Sequence, residues 1–543
     1  MLTNRTTTMI IFLTLVIYCS GVAQENGYFV YFNDKNGTPY SVNHPGEFLS
    51  SRAIARRQKQ NIPIDASDLP VTPAYVTALT NLGIRVAHTS KWLNGAIVFS
   101  DDADLMASLT DYDYIRAVDL TQTQEPNKIM KFKEAYQDLK AASITNDYGY
   151  SYNQTVTVNG QFLHVKGFKG EGMHIAIIDA GFYGVDQLPC FNHLWINSQI
   201  LGTRDFVNPT SNIFEEHRHG MQVLSIVSGI MEGELQGTAT EAKYWLLRSE
   251  DDNSEYPIEA DYWIRAAEFA DSAGVDVINT SLGYSLFDDA SLDYTYSQMD
   301  GSTRISQAAK LAASKGMIVV VSAGNEGNKS WRYITAPSDA EDILTVGAVT
   351  KDSIQAYFAS VGPSADDRIK PDITAMGISC AMQSTNGEIT FGNGTSFSSP
   401  VITGLSACLW QALPTLSAAE IVDLIKNSAH QMNAPDIYMG YGLPDFNLAL
   451  ETSINSPASM DQQTKWQIAP NPFSNEITLH TNDKVAAEIE VKLYDILGCL
   501  HYQATYKHAK DITITLQRSL RKGIYLLQIK ENTNTSHFKL LKD

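Results

Sequence analysis

Three things are scarce in this chain of 543 residues, and each scarcity excludes something. Cysteine is the first. There are five, and Cys190, Cys380, Cys408 and Cys499 show no framework spacing, so no disulfide scaffold is expected. Cys408 falls in an apolar stretch and reads as a buried free thiol. Positive charge is the second: 40 Lys and Arg face 60 Asp and Glu, a net charge of −20, which argues against nucleic acid and anionic membranes as partners. The acidic surface is a solubility feature, and no substrate preference follows from it. Long hydrophobic runs are the third. The apolar stretch Met9 to Ile17 is too short for a permanent transmembrane anchor. Preceded by Arg5 and followed by Gly21-Val22-Ala23, it reads as an export signal over residues 1–23, cleaved before Gln24 and taking Cys19 with it. A lipoprotein reading through Cys19 puts the bulky Tyr18 where such sites want a small residue.

What the chain has in abundance is apolar sequence, 44% of its residues, over a length that implies roughly three or four folded units. The most informative segment is Gly394-Thr395-Ser396-Phe397-Ser398-Ser399-Pro400, followed directly by the apolar run Val401 to Trp410. A serine there sits on the first turn of a buried helix, where unpaired N–H groups and the positive helix end favour a developing oxyanion. By itself the segment reads first as a serine capping a core helix.

Upstream, Met173-His174-Ile175-Ala176-Ile177-Ile178-Asp179-Ala180-Gly181 is an apolar strand ending in a carboxylate and a turn glycine. Open α/β sheets place functional groups at that edge. His219-Gly220-Met221, with Val223, Leu224, Ile226 and Val227, suits a buried helix that begins at the histidine. Taken singly, Asp179 could be a helix cap and His219 a surface residue beside His217. Together they supply what a serine nucleophile needs at neutral pH: an imidazole base and a carboxylate that fixes its tautomer. The chain order Asp, His, Ser is that of subtilisin and differs from chymotrypsin and the α/β-hydrolases. A fourth segment, the strand Gly316 to Val321 with the loop Ser322-Ala323-Gly324-Asn325-Glu326-Gly327-Asn328, offers the Asn325 amide as an oxyanion donor, or as a turn former between glycines.

With all four segments in this order, the chain resembles the subtilisin-like serine peptidases (subtilases) over about Gly167 to Leu450. The resemblance implies Asp179 as orienting acid, His219 as general base and acid, Ser396 as nucleophile, and Asn325 as oxyanion donor beside the Ser396 N–H. It also implies that Ser281-Leu282-Gly283 pairs with an extended substrate backbone and that Ala323-Gly324 walls the primary specificity pocket. The pocket floor is expected from the Trp331 to Thr335 loop. No cofactor is required for this chemistry, and whether structural calcium is present is left open, since no metal-stabilised loop is apparent. Three positions depart from the family pattern: Met221 for the usual threonine, Ala180 for serine or threonine, and Phe397-Ser398 for Met-Ala.

The expected architecture is α/β: a subtilisin-like parallel sheet with helices on both faces, preceded by a small α/β unit and followed by a β-sandwich. Strands are expected at 173–178, 244–248, 275–280, 317–321 and 343–349, and helices at 219–230, 257–272, 303–315, 396–411 and 417–429. Residues 24–124 resemble the prodomains of secreted subtilases, with 125–166 as a processing and connecting segment before the catalytic domain at 167–450. The polar stretch 451–465 reads as a linker. Beyond it, short strands and the segments Ala469-Pro470-Asn471-Pro472-Phe473, Tyr494 to Gly498, Gly523-Ile524-Tyr525 and Lys539-Leu540-Leu541-Lys542 resemble the sorting domain read by the type IX secretion system. The expected partners are therefore polypeptide substrates and that secretion machinery, and the expected location is outside the inner membrane, released or surface-bound. A catalytically impaired subtilase that binds peptides at the surface is the alternative. An α/β-hydrolase esterase would need a glycine at position 398, where serine stands, and a histidine after the nucleophile.

Overall fold

The first apolar run after the expected signal is a strand because its alternate residues are claimed by two different surfaces. The computed structural model describes residues 25–123, 147–455, 466–481, 488–495, 500–516, 520–531 and 534–542. The expected signal peptide, most of the connecting segment, residues 456–465 of the linker, and Cys19 and Cys499 lie outside the described residues. Strands β1 (Asn26–Phe32), β2 (Arg85–Ser90), β3 (Gly95–Ser100) and β4 (Ile115–Gln122) form an antiparallel sheet in the order β2-β3-β1-β4. Helix α1 (Ser51–Lys59) carries Arg56 and Arg57, and Tyr28, Val30 and Phe32 of β1 pack with Leu79 of α2 (Pro73–Asn81). Phe29, between them, points the opposite way and joins a core built from the next domain.

That domain is one seven-stranded sheet, parallel throughout: β5 (His174–Asp179), β6 (Ile200–Asp205), β7 (Lys243–Arg248), β8 (Val277–Thr280), β9 (Ile318–Ser322), β10 (Leu344–Val349) and β11 (Ile373–Met376). The spatial order is β11-β10-β9-β8-β5-β7-β6, so the winding reverses at β5. Both faces are buried, which is why the strands read as continuous apolar runs. Ile175 and Ile177 face the layer of α3 (His219–Ser228), α6 (Thr395–Ala412) and α7 (Ala418–Asn427). Ala176 and Ile178 face α4 (Pro257–Ala273) and α5 (Arg304–Ser314). Pro257 starts α4, left-handed Gly274 (φ 83°) ends it, and Ser417 with Glu420 caps α7. The expected strands and helices are all present. Strands β6 and β11 were not expected, and α3 stops at Ser228, because Ile230 enters a short hairpin with Leu235–Gln236.

The amino-terminal unit lies against α4 and α5, and ionic contacts fasten it there. The fully buried Asp271 of α4 accepts from Arg56 at 2.5 Å, Arg57 at 2.7 Å and Lys91 at 2.9 Å. Glu268, one turn earlier, accepts from Ser90 Oγ and from the Lys91 and Trp92 N–H groups. Arg304 of α5 bridges Asp261 and, from β4, Asp119. Burial alone would raise the Asp271 carboxyl, but Lys91, Arg56 and Arg57 outweigh it and hold it well below the usual carboxylate range.

The chain divides into two compact units, Met1–Leu450 and Glu451–Asp543. The second contains a three-stranded sheet, β12 (Gln467–Ala469), β13 (Glu476–His480) and β16 (Asp511–Thr515), and a four-stranded one, β14 (Glu488–Asp495), β15 (Leu500–Lys507), β17 (Gly523–Glu531) and β18 (Asn534–Lys542). Ile477, Leu479, Ile512 and Ile514 of the first sheet share one core with Ile489, Val491, Leu493 and Leu527 of the second. Alternate residues on β13 and β16 are exposed, as a sandwich of half-buried sheets requires.

Candidate active site

Asp179 ends β5 at the carboxyl edge of the sheet, where the strand order reverses. Its side chain is fully buried, and Oδ1 accepts from His219 Nδ1 at 2.6 Å and from the Ala180 N–H at 2.8 Å. Oδ2 meets no hydrogen-bond donor among the described residues. Ala180, beside it in the chain, brings no hydroxyl that could serve it. His219 opens α3, and Gly220 lets this helix approach the strand: a Cβ there would come within 2.8 Å of Asp179 Cβ. With Nδ1–H donated to the carboxylate, the neutral ring keeps Nε2 as its basic nitrogen. Met221 is wholly buried in the core, so its apolar side chain has a packing role. His217 stacks on His219 with ring centroids 6.5 Å apart, and burial together with the charge of His219 pulls its pKa down.

Ser396 is the second residue of α6. Its Oγ donates to the Ser281 carbonyl at 3.3 Å, and Ser281 Oγ donates to the Ser396 carbonyl at 2.9 Å, so the serine turn and the end of β8 hold each other. The next side chain, Phe397, is buried with its ring centroid 6.0 Å from that of His219. The start of α6 therefore abuts the histidine. Asn325 lies just beyond β9. Its Oδ1 accepts from the Thr395 N–H at 2.9 Å and the Thr395 hydroxyl at 3.0 Å. An N–H can only donate, so the amide orientation is determined and Nδ2 remains as the donor beside the Ser396 turn. Thr395 was not singled out in the sequence, although it immediately precedes the serine in the same motif.

The structure also brings together the two segments assigned to substrate. Ser281, Leu282 and Gly283 leave the end of β8, and Ala323 and Gly324 leave the end of its neighbour β9, with Gly324 at φ 106°. Gly283 is exposed, whereas Leu282 is buried. Arg248, at the end of β7, donates to the Ala180 carbonyl at 3.1 Å and pairs with Asp205 and Glu216, bracing the turn after Asp179; nothing in its local sequence marks it. Glu250, Glu255 and Glu259 bring carboxylate oxygens within 4.8 Å of one another. Glu250 accepts from the Tyr284 hydroxyl, and Glu259 from the Tyr256 and Asp251 N–H groups, so the cluster organises the start of α4.

An Asp–His pair at the edge of a parallel sheet, with a serine following on the first turn of a central helix, is an arrangement of serine peptidases with the chain order Asp, His, Ser. Comparison with known proteins gives the particular family. The model of the subtilase family matches residues 170–442, half of the chain, and the chain belongs to that family. Subtilisin NAT of Bacillus subtilis subsp. natto is 26% identical over 346 residues, covering 63% of this chain and 82% of that protein. Serine protease AprX of Bacillus subtilis strain 168 is 29% identical over 336 residues, 53% of this chain and 67% of AprX. The Bacteroidota S8 propeptide model matches residues 27–137, and the secretion-system C-terminal sorting model matches 467–543. The protein is thus a subtilisin-like serine endopeptidase carrying a propeptide and a type IX sorting domain, exported and then secreted or held at the cell surface. No helix among the described residues is long and apolar enough to cross a membrane.

Proposed function

We propose that this peptidase works through Asp179, His219 and Ser396, with Asn325 and the Ser396 N–H as oxyanion donors. The observation that carries the reading is the buried Asp179–His219 hydrogen bond of 2.6 Å beside the serine turn. Ser396 Oγ attacks the scissile carbonyl carbon as His219 Nε2 takes its proton. Asp179 holds the ring in the Nδ1–H tautomer and stabilises the imidazolium. Negative charge then develops on the former carbonyl oxygen, where Asn325 Nδ2, the Ser396 N–H and the α6 dipole all favour it. Collapse of the tetrahedral intermediate expels the amine, protonated by His219, and leaves an acyl-enzyme that water hydrolyses by the same steps. The substrate lies extended along Ser281-Leu282-Gly283, offering main-chain groups common to every peptide, with Ala323-Gly324 beside its primary side chain. Residues 24–124 form the prodomain, 125–166 the processing segment, 167–450 the catalytic domain, 451–465 the linker and 466–543 the sorting sandwich.

The unpaired Asp179 Oδ2 favours a second reading, an impaired peptidase that only holds peptides. The contact that orients His219 uses Oδ1 and is intact, so catalysis is the stronger reading. Ser396→Ala decides between them. Peptide hydrolysis by the mature protein should fall by several orders of magnitude, on the order of 10⁶-fold in kcat, while the variant still folds. Equal turnover by both proteins would remove Ser396 from the mechanism, and absence of turnover in the wild type would favour the binding reading.

A further inference from the structure

The two segments assigned to substrate meet across a single side chain. Thr335 is buried, at 3% exposure. Its neighbour Ala336 is stitched to Tyr284 by two backbone hydrogen bonds, Tyr284 N–H to the Ala336 carbonyl at 2.8 Å and Ala336 N–H to the Tyr284 carbonyl at 3.0 Å. This pairing draws Thr335 up against Gly283. A Cβ built on Gly283 would overlap Thr335 Oγ1, and one built on Gly324 would stand 3.0 Å from the same oxygen. One hydroxyl therefore touches both glycines. The threonine is held in place on its backbone side as well, since its carbonyl accepts from the Ser338 N–H at 2.8 Å and the Ser338 hydroxyl at 2.6 Å. β-Branching limits it further to few rotamers. Thr335 Oγ1 itself meets no hydrogen-bond partner among the described residues.

We infer that Thr335 closes the primary specificity slot between Gly283 and Gly324 and restricts the residue whose carbonyl is cleaved to a small side chain: glycine, alanine or serine. This rests on the proposed mechanism and deepens it. A side chain entering between the two glycines meets the Thr335 methyl and hydroxyl after one or two carbon atoms. Larger groups must displace a buried, backbone-anchored residue, which packed interiors resist.

Acylated tetrapeptides differing only in this residue (Gly, Ala, Ser, Leu or Phe) test the inference on the mature wild type, Thr335→Gly and Thr335→Val. The wild type should prefer alanine over phenylalanine by about 100-fold in kcat/KM, the scale on which pocket shape discriminates. Thr335→Gly should raise phenylalanine and leucine turnover at least tenfold while alanine turnover changes less. Thr335→Val keeps the shape without the hydroxyl, so it should retain the size limit. Wild-type cleavage after phenylalanine as fast as after alanine would overturn the inference and leave the peptidase mechanism standing, as would an unchanged profile in a folded Thr335→Gly variant. No hydrolysis of any peptide by the wild type would overturn both.

Discussion

Asp179 and Asp271 are fully buried aspartates of one domain, handled in opposite ways. Asp271 meets three cations, all from the propeptide, and its charge is compensated before any chemistry begins. Asp179 meets one imidazole through one oxygen. It gains a full cationic partner only when His219 takes up a proton. A carboxylate neutralised in the resting state stabilises an assembly, whereas one awaiting its countercharge stabilises a transition state. The docking face is thus built to hold a partner, and the cleft, on the proposed mechanism, to hold a charge that exists only during turnover.

The strongest way to break this contrast is Asp179→Asn. The amide can donate to Nδ1, which forces the imidazole into the wrong tautomer, and kcat should fall by about 10⁴-fold. Docking of the propeptide should be untouched, because Asp179 makes no hydrogen bond or ion pair with it among the described residues. Loss of propeptide binding in this variant would merge the two regions into one. Asn325→Leu comes next, with an expected loss of about 10²- to 10³-fold in kcat and little change in KM, since the Nδ2 contact strengthens only as the oxyanion forms. Leucine also surrenders the two Thr395 contacts, so a melting curve must accompany the kinetics. An unchanged kcat in a stable variant would leave Asn325 as a brace for the serine turn.

Much of the cleft was legible in the chain because its parts are local. A carboxylate at a strand end, a histidine at a helix start and a serine on a first turn are each marked by the apolar run beside them, and their order supplied the rest. The strands buried on both faces announced themselves as apolar runs. Strand β6 did not, since Ile-Leu-Gly-Thr-Arg-Asp is half-buried at the sheet edge, and β11 is only four residues long. Contacts made across long sequence separations were invisible for a different reason. Arg56 and Asp271 lie 215 residues apart, and each alone reads as a solvated charge. Thr335 was confined to a loop named as the pocket floor, but its place between two glycines depends on the pairing of Ala336 with Tyr284, which no local pattern encodes.

At the docking face, Asp271→Asn removes the charge shared by Arg56, Arg57 and Lys91. Breaking a buried pair on one side costs about 3–5 kcal/mol, so propeptide held on the processed enzyme should dissociate on the order of 10²- to 10³-fold more readily. The kcat of the freed enzyme should not change. Retention equal to that of the wild type, measured by size-exclusion chromatography after processing, would show that the apolar contacts of Phe29, Trp92 and Ile97 suffice.

Acid should reproduce a weaker form of that substitution, and the sign follows from Asp271. Its carboxyl is held below the ordinary range only while Lys91, Arg56 and Arg57 are present, and release returns it toward about 3.9. Its contribution to docking is therefore complete above that value and is lost as pH falls below it, by about tenfold per pH unit, because each release then takes up a proton. Asp261 works the other way. Burial lifts it to about 6 against the attraction of Arg304, so the complex keeps a proton that the separated domain releases between about 6 and 3.9. Glu268, Asp276, Asp119 and Asp68 face the same interface, held by Ser90, Arg52, Arg304 and Arg57 respectively. His88 of β2, whose Nε2 meets the Phe206 carbonyl across the interface, is held below its ordinary value by burial and takes up a proton on release, which opposes Asp261. Retention should accordingly change little from pH 7 to pH 5 and then drop steeply below pH 4. Chromatography of the processed complex at pH 7, 5, 4 and 3 reads this directly, with Asp271→Asn as the control whose acid drop should be blunted. An identical acid profile in the two proteins would assign the loss to general unfolding and take Asp271 out of the release mechanism.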